Sequence, residues 1–138
     1  MIRLLIAEDE ALIRERLKKI IGRCGLPIEI VGEASNGQEA LTLALESKPA
    51  VVIVDVEMPV LGGLEFLSAA RDAGLSLKAV VLTGFAQFEY ARKALRLGVV
   101  DYLLKPVNEA ALVEALRRTE REIAGEMRSG VGDTGGLA

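Results

Sequence analysis

Apolar positions along the chain fall into short unbroken runs that alternate with helical stripes. RLLIA (3–7) is a run that ends in acids. Residues 10–24 then carry Ile13, Leu17, Ile20, Ile21 and Cys24, and the three- and four-residue spacing predicts a helix. PIEIVGEAS (27–35) is extended in character. Asn36-Gly-Gln-Glu39 has the pattern of a capping box, so a helix through about Ser47 should follow. VVIVD (51–55) predicts a third strand and Gly63 to about Ala73 a third helix. KAVVLT (78–83) predicts a fourth strand, and AQFEYARKALRLG a fourth helix closed by Gly98. VVDYLLK (99–105) makes a fifth strand. Asn108 can cap a last helix to about Arg128, with the stripe Leu112, Leu116, Ile123, Met127. SGVGDTGGLA (129–138) is glycine-rich and charge-poor, as linkers are.

Five strand–helix pairs in succession predict an α/β protein with a parallel sheet covered on both faces. In such a sheet functional groups gather at the carboxyl ends of the strands. Those ends carry Glu8 and Asp9, Asp55, Thr83 and Lys105, after the first, third, fourth and fifth strands. Each has an ordinary explanation. An aspartate at a strand end forms turns, Glu8-Asp9 suits a helix N-terminus, and Thr83-Gly84 suits a turn. A lysine is most often solvated. Their joint occurrence at four strand ends is what points to a site. Three carboxylates carry −3, which one divalent cation and Lys105 would balance. Without the cation, crowding would raise carboxylate pKa values.

Composition then limits the chemistry. With 138 residues the chain has room for one domain and its core. It has no histidine, which removes histidine-based catalysis and leaves oxygen ligands, the preference of Mg²⁺. Cys24 is the only cysteine, so no internal disulfide forms, and a reducing cytoplasm is the expected location. MIRLLIAEDE is too short in apolar run for a signal peptide or a membrane span. A net charge of −3 gives no electrostatic reason for direct nucleic-acid binding.

LLIAEDE (4–10), VVIVDVEMPVLGG (51–63), VVLTG (80–84) and DYLLKP (101–106) together resemble the receiver domain of two-component response regulators. The resemblance covers about residues 2–124. It implies a doubly wound (βα)5 sandwich whose five-stranded parallel sheet has the order 2-1-3-4-5. It divides the chain into a receiver, 1–124, and a helix end with a linker-like tail, 125–138. It implies that Asp55 accepts a phosphoryl group from a sensor histidine kinase, with slow self-phosphorylation and autodephosphorylation rather than enzymatic turnover. Mg²⁺ would be held by Glu8, Asp9, Asp55 and the backbone carbonyl of Glu57, with Asp9 the favoured direct ligand of the acidic pair. Lys105 would pair with Asp55 and then with the phosphoryl group, and its bond to Pro106 should be cis. Thr83 and Tyr102 would form the switch. The signal would leave by the face of the fourth helix, fifth strand and fifth helix. The residues add a last helix long enough to project past the sheet, with Ile123 and Met127 as a thin apolar seam, and this is expected to support a phosphorylation-promoted homodimer on that face, presenting Phe88, Arg92, Leu95 and Arg96 beside Tyr102.

Two further expectations and one departure complete the reading. FEYARKALRLGVVDYLLKPV resembles receivers that precede AraC-type DNA-binding domains, and the glycine-rich tail favours a chain cut in a linker. Leu12 heads a line with Arg16, Lys19 and Arg23 and is expected to be exposed near the site, where it would meet the kinase's helices. The departure is Gly62, where the family often has Asp. Two other folds fit less well. A haloacid-dehalogenase-type phosphatase wants a second Asp where Glu57 stands, and a flavodoxin-like nucleotide carrier wants a phosphate-binding loop where EDEA (8–11) stands.

Overall fold

The computed structural model describes residues 1–84 and 98–136. Five strands form one parallel sheet: β1 (Ile2–Ala7), β2 (Ile28–Ala34), β3 (Val51–Asp55), β4 (Lys78–Thr83) and β5 (Val99–Leu104). Their order is β2-β1-β3-β4-β5, as expected. Helices α1 (Ala11–Arg23), α2 (Gly37–Ser47) and α3 (Gly63–Asp72) follow the first three strands, and a C-terminal helix covers Glu109–Gly136. The expected fourth helix, with Phe88, Arg92, Leu95 and Arg96, lies outside the described residues. Gly98, expected to close it, has φ +79°, the left-handed conformation that glycine tolerates best.

The central strands are buried on both sides, which is why they read as continuous apolar runs. Alternation along each strand divides the core in two. Leu5, Ala7, Val52, Val54, Ala79 and Val81 pack with Ala40 and Ala44 of α2 and Leu64, Phe66 and Leu67 of α3. Leu4, Ile6, Val51, Ile53, Val80 and Leu82 face the other way, onto Leu17, Ile20 and Ile21 of α1 and Leu112, Ala115 and Leu116 of the C-terminal helix.

Caps set the helix starts. Asn36 Oδ1 accepts from the Glu39 amide at 2.8 Å. The Glu39 carboxylate reaches back to the Ser35 amide at 2.7 Å, one residue further than a capping box requires. Asn108 Oδ1 accepts from the Ala111 amide at 2.9 Å. The C-terminal helix passes its expected end near Arg128 and continues to Gly136, so residues 129–136 of the stretch read as linker-like are helical. Once nucleated on buried turns, a helix adds a hydrogen bond for each residue it fixes. Its 28 residues span about 42 Å. Leu112 and Leu116 of its stripe are buried and Ile123 is half-buried; the Met127 side chain lies outside the described residues. Ion pairs tie this helix to the sheet: Arg118 with Asp101 of β5, and Lys78 of β4 with Glu122 and Glu126. Arg23 of α1 reaches Glu109 at 2.8 Å. Among the described residues no helix is long and apolar enough to cross a membrane.

Candidate phosphoryl-acceptor site

Parallel pairing brings the strand ends together. Asp55 closes β3 opposite Leu82, one residue short of Thr83, and Thr83 stands opposite Leu104. The ladder carries on past the strands. Glu8 N donates to Ala34 O, Val56 N to Leu82 O and Lys105 N to Thr83 O, each at 2.9 Å. The Lys105–Pro106 bond is cis, as the resemblance implies. Glu8, Asp55 and Lys105 continue the alternation that faces α1 and the C-terminal helix. Thr83 and Tyr102 continue the opposite one, and Tyr102 packs against the α2–α3 core.

The charged group is compact. Lys105 Nζ donates to Asp55 Oδ2 at 2.8 Å and lies 3.2 Å from Glu8 Oε1 and 3.9 Å from Glu10 Oε1. Asp55 is buried, and its Oδ1 accepts from the Glu57 amide at 3.2 Å. Glu8 is fully buried and Asp9 exposed. Carboxylate oxygens of Glu8, Asp9 and Asp55 lie within 4.8 Å of one another. Burial pushes the Glu8 carboxyl up to about 7, the nearby Asp55 charge adds to that, and the Glu10 amide and Lys105 oppose it. Burial works against the Lys105 ammonium, but Asp55 and Glu8 outweigh it and hold its pKa above the usual lysine value.

These residues fit a hard divalent cation. The donors are all carboxylate oxygens, and Glu8 Oε1 is buried without a hydrogen-bond partner even though Lys105 stands at ion-pair distance. A shallow depression of about 400 Å³, lined by Asp9, Val56, Glu57, Met58 and Pro59, opens beside the cluster. The Glu57 side chain is exposed. Thr83 is fully buried, and its hydroxyl donates to the Gly84 carbonyl at 3.0 Å. Two glycines lie in the loop after Asp55. A Cβ at Gly63 would overlap the Asp55 carbonyl oxygen, so only glycine fits there. Gly62 stands at the N-cap of α3 and offers no side-chain cap.

Two arginines of α1 have contacts that the sequence did not signal. Arg14 Nη1 donates to the Glu8 carbonyl at 2.7 Å, and Arg16 Nη2 to the Val107 carbonyl at 2.8 Å. Both acceptors are backbone oxygens of strand-end loops, so no pairing pattern between side chains could reveal them. Leu12 is 85% exposed at the start of the same helix.

Fold and site together define a receiver. The chain belongs to the response regulator receiver domain family, whose model matches residues 4–117. It is 37% identical over 123 residues, 89% of its length, to the transcriptional regulatory protein YesN of Bacillus subtilis, of which it spans 33%. It is 40% identical over 117 residues, 85% of its length, to the positive alginate biosynthesis regulatory protein of Pseudomonas aeruginosa, of which it spans 46%. Its fold matches the receiver domain of AraT, a response regulator from Geobacillus stearothermophilus, with TM-score 0.83 and 38% identity over 92% of this chain and 99% of that one. The chain thus spans a third to under a half of these two curated relatives.

Proposed function

We propose that Asp55 is the phosphoryl acceptor of a two-component regulator, with residues 1–124 as the responsive unit and a histidine kinase as donor. The observation that carries this is a buried carboxylate bonded to Lys105 and flanked by two further carboxylates. Glu8, Asp9, Asp55 and the Glu57 carbonyl hold Mg²⁺ in this reading. When bound, the ion screens the incoming phosphoryl charge and holds its oxygens. An Asp55 oxygen forms the new bond to phosphorus while the bond from phosphorus to the donor's imidazole nitrogen breaks and returns its electron pair to that nitrogen, so a neutral imidazole leaves carrying the proton already on its other ring nitrogen.

Lys105 pairs with Asp55 before transfer and with a phosphoryl oxygen after it. Two unit charges at ~4 Å interact by about 4 kcal/mol at an effective dielectric near 20, before desolvation is subtracted. The Thr83 hydroxyl exchanges the Gly84 carbonyl for a phosphoryl oxygen, a stronger charge-assisted bond. Tyr102, on the same face of the sheet, moves into the space Thr83 leaves. The result is a population shift that alters the β5 face. That face forms a homodimer and passes the state to a segment that regulates transcription. The exposed Leu12 meets the kinase's helices. Hydrolysis of the acyl phosphate by water is slow, so the chain is modified once rather than turning over substrate.

The test is mass spectrometry after exposure to a small acyl-phosphate donor with Mg²⁺. The parent should gain one phosphoryl group on Asp55, and Asp55→Asn should stay folded and unlabelled. Undiminished labelling of Asp55→Asn overturns the assignment; an unlabelled parent points instead to a docking module that is never phosphorylated.

A further inference from the structure

Arg14 lies in the first turn of α1, outside the residues assigned to the site so far. It holds the peptide on which the acidic pair is mounted. Its Nη1 donates at 2.7 Å to the Glu8 carbonyl, which belongs to the peptide joining Glu8 to Asp9. The other side of Glu8 is already fixed, because its amide donates to Ala34 O in the sheet ladder at 2.9 Å. A peptide is planar, so fixing its carbonyl also fixes where the Asp9 Cα sits, and the turn that follows then sets the direction of its side chain. Glu8 Oε2 in turn accepts from the Glu10 amide at 3.1 Å, which closes the turn around Asp9.

Arg14 is itself held from outside. Its Nε lies 3.4 Å from Glu33 Oε1 on β2. Glu33 Oε2 is 3.0 Å from Lys18, and Lys18 is 2.7 Å from Glu15. A planar guanidinium presents Nε and Nη1 in a fixed geometry that serves the carboxylate and the carbonyl at once, whereas a lysine ammonium is a point charge without that rigid fork. A purely structural ion pair with Glu33, half-exposed, would contribute little and would not require Nη1 to meet the Glu8 carbonyl.

We propose that Arg14 is a positioning residue for the divalent-cation site: through the Glu8–Asp9 peptide it aims Asp9 so that its carboxylate joins those of Glu8 and Asp55. This rests on the Mg²⁺ reading above. The experiment uses the intact chain without any phosphoryl donor. MgCl₂ is titrated calorimetrically into the parent, Arg14→Ala, Arg14→Lys and Glu33→Gln, and Mn²⁺ displacement is followed by paramagnetic resonance. Melting in EDTA checks that each variant is folded. Arg14→Ala should weaken Mg²⁺ about ten-fold, the scale on which groups behind metal ligands act. Arg14→Lys should recover only part of the loss. Glu33→Gln, which loosens the outer anchor, should weaken binding about two-fold.

Parent-like affinity in Arg14→Ala overturns the proposal, and so does full recovery in Arg14→Lys, which would make the effect one of charge alone. If Arg14→Ala does not fold, Glu33→Gln decides, and parent-like affinity there overturns it. A parent that takes up no Mg²⁺ overturns the site reading as well, which separates the two failures.

Discussion

Replacing Glu8 by Gln should stabilise the metal-free protein above pH 7 and destabilise it slightly at pH 5. Glu8 is fully buried, and its carboxyl is raised from 4.5 to about 7, chiefly by that burial. The folded state therefore holds this proton more tightly than the unfolded chain does. Its contribution to stability is complete below about pH 4.5 and is lost as pH rises through 7. A gap of about 2.5 pH units at 1.36 kcal/mol each is on the order of 3 kcal/mol. Glutamine removes that pH dependence but has one acceptor oxygen where glutamate has two. Oε2 accepts from the Glu10 amide at 3.1 Å and Oε1 faces Lys105 at 3.2 Å, so one of these is given up, at about 1 kcal/mol. The net is a gain of about 2 kcal/mol at pH 8 and a loss of only about 0.2 kcal/mol at pH 5, where the unfolded carboxyl is already mostly ionised and about 0.8 kcal/mol of the proton-linked contribution is gone. For a chain of this size the gain corresponds to a melting temperature roughly 7 °C higher. The assay is thermal denaturation by circular dichroism in EDTA from pH 5 to pH 8. Parallel stability curves for parent and variant would refute the reasoning, because they would show that Glu8 does not titrate in this window. Added Mg²⁺ at pH 8 should stabilise the parent more than the variant.

Val60 is 81% exposed with φ +71°, a conformation that a β-branched residue adopts only under strain. Val60→Gly should raise stability by about 1 kcal/mol in urea titration with labelling unchanged; lower stability would contradict this. Gly63→Ala should cost about 1–3 kcal/mol and slow acyl-phosphate labelling, since the added methyl displaces the carbonyl of Asp55. A parent-like labelling rate would show that the loop relaxes without moving Asp55. Leu12→Asp should leave labelling by the small donor intact and impair transfer from a histidine kinase; equal kinase-dependent rates would remove Leu12 from the docking surface.

The strands and the site's main groups were legible in the sequence for a simple reason. Strands buried on both faces must be apolar throughout, and VVIVD and KAVVLT are, so polar residues at their ends stand out. Asn36 and Asn108 were legible because a cap acts within its own turn. The difference between Glu8 and Asp9 was not. The sequence reading favoured Asp9 as the metal ligand and gave Glu8 no separate character, whereas the fold buries Glu8 completely and leaves Asp9 exposed. That contrast depends on what packs over the loop. Arg14 and Arg16 were hidden for a related reason: each meets a backbone carbonyl that any residue would present. The continuation of the C-terminal helix beyond Arg128 runs against the glycine content of SGVGDTGGLA, and local propensity is a weak guide next to a ladder already formed.

The close approach of α2 to the loop after Asp55 bears on transplantation. A Cβ at Gly37 would overlap the carbonyl oxygen and Cβ of Leu61, so the loop after Asp55 rests directly on the first turn of another helix. The segment from Asp55 to Gly63 is therefore not a portable cassette. Grafted onto a sheet whose neighbouring helix begins with any larger residue, it would meet a wall where this protein has a seat, and Asp55 would be carried out of line with Lys105. The minimum exchangeable part includes a glycine eighteen positions upstream of the aspartate, in a helix that contributes no side chain to the chemistry.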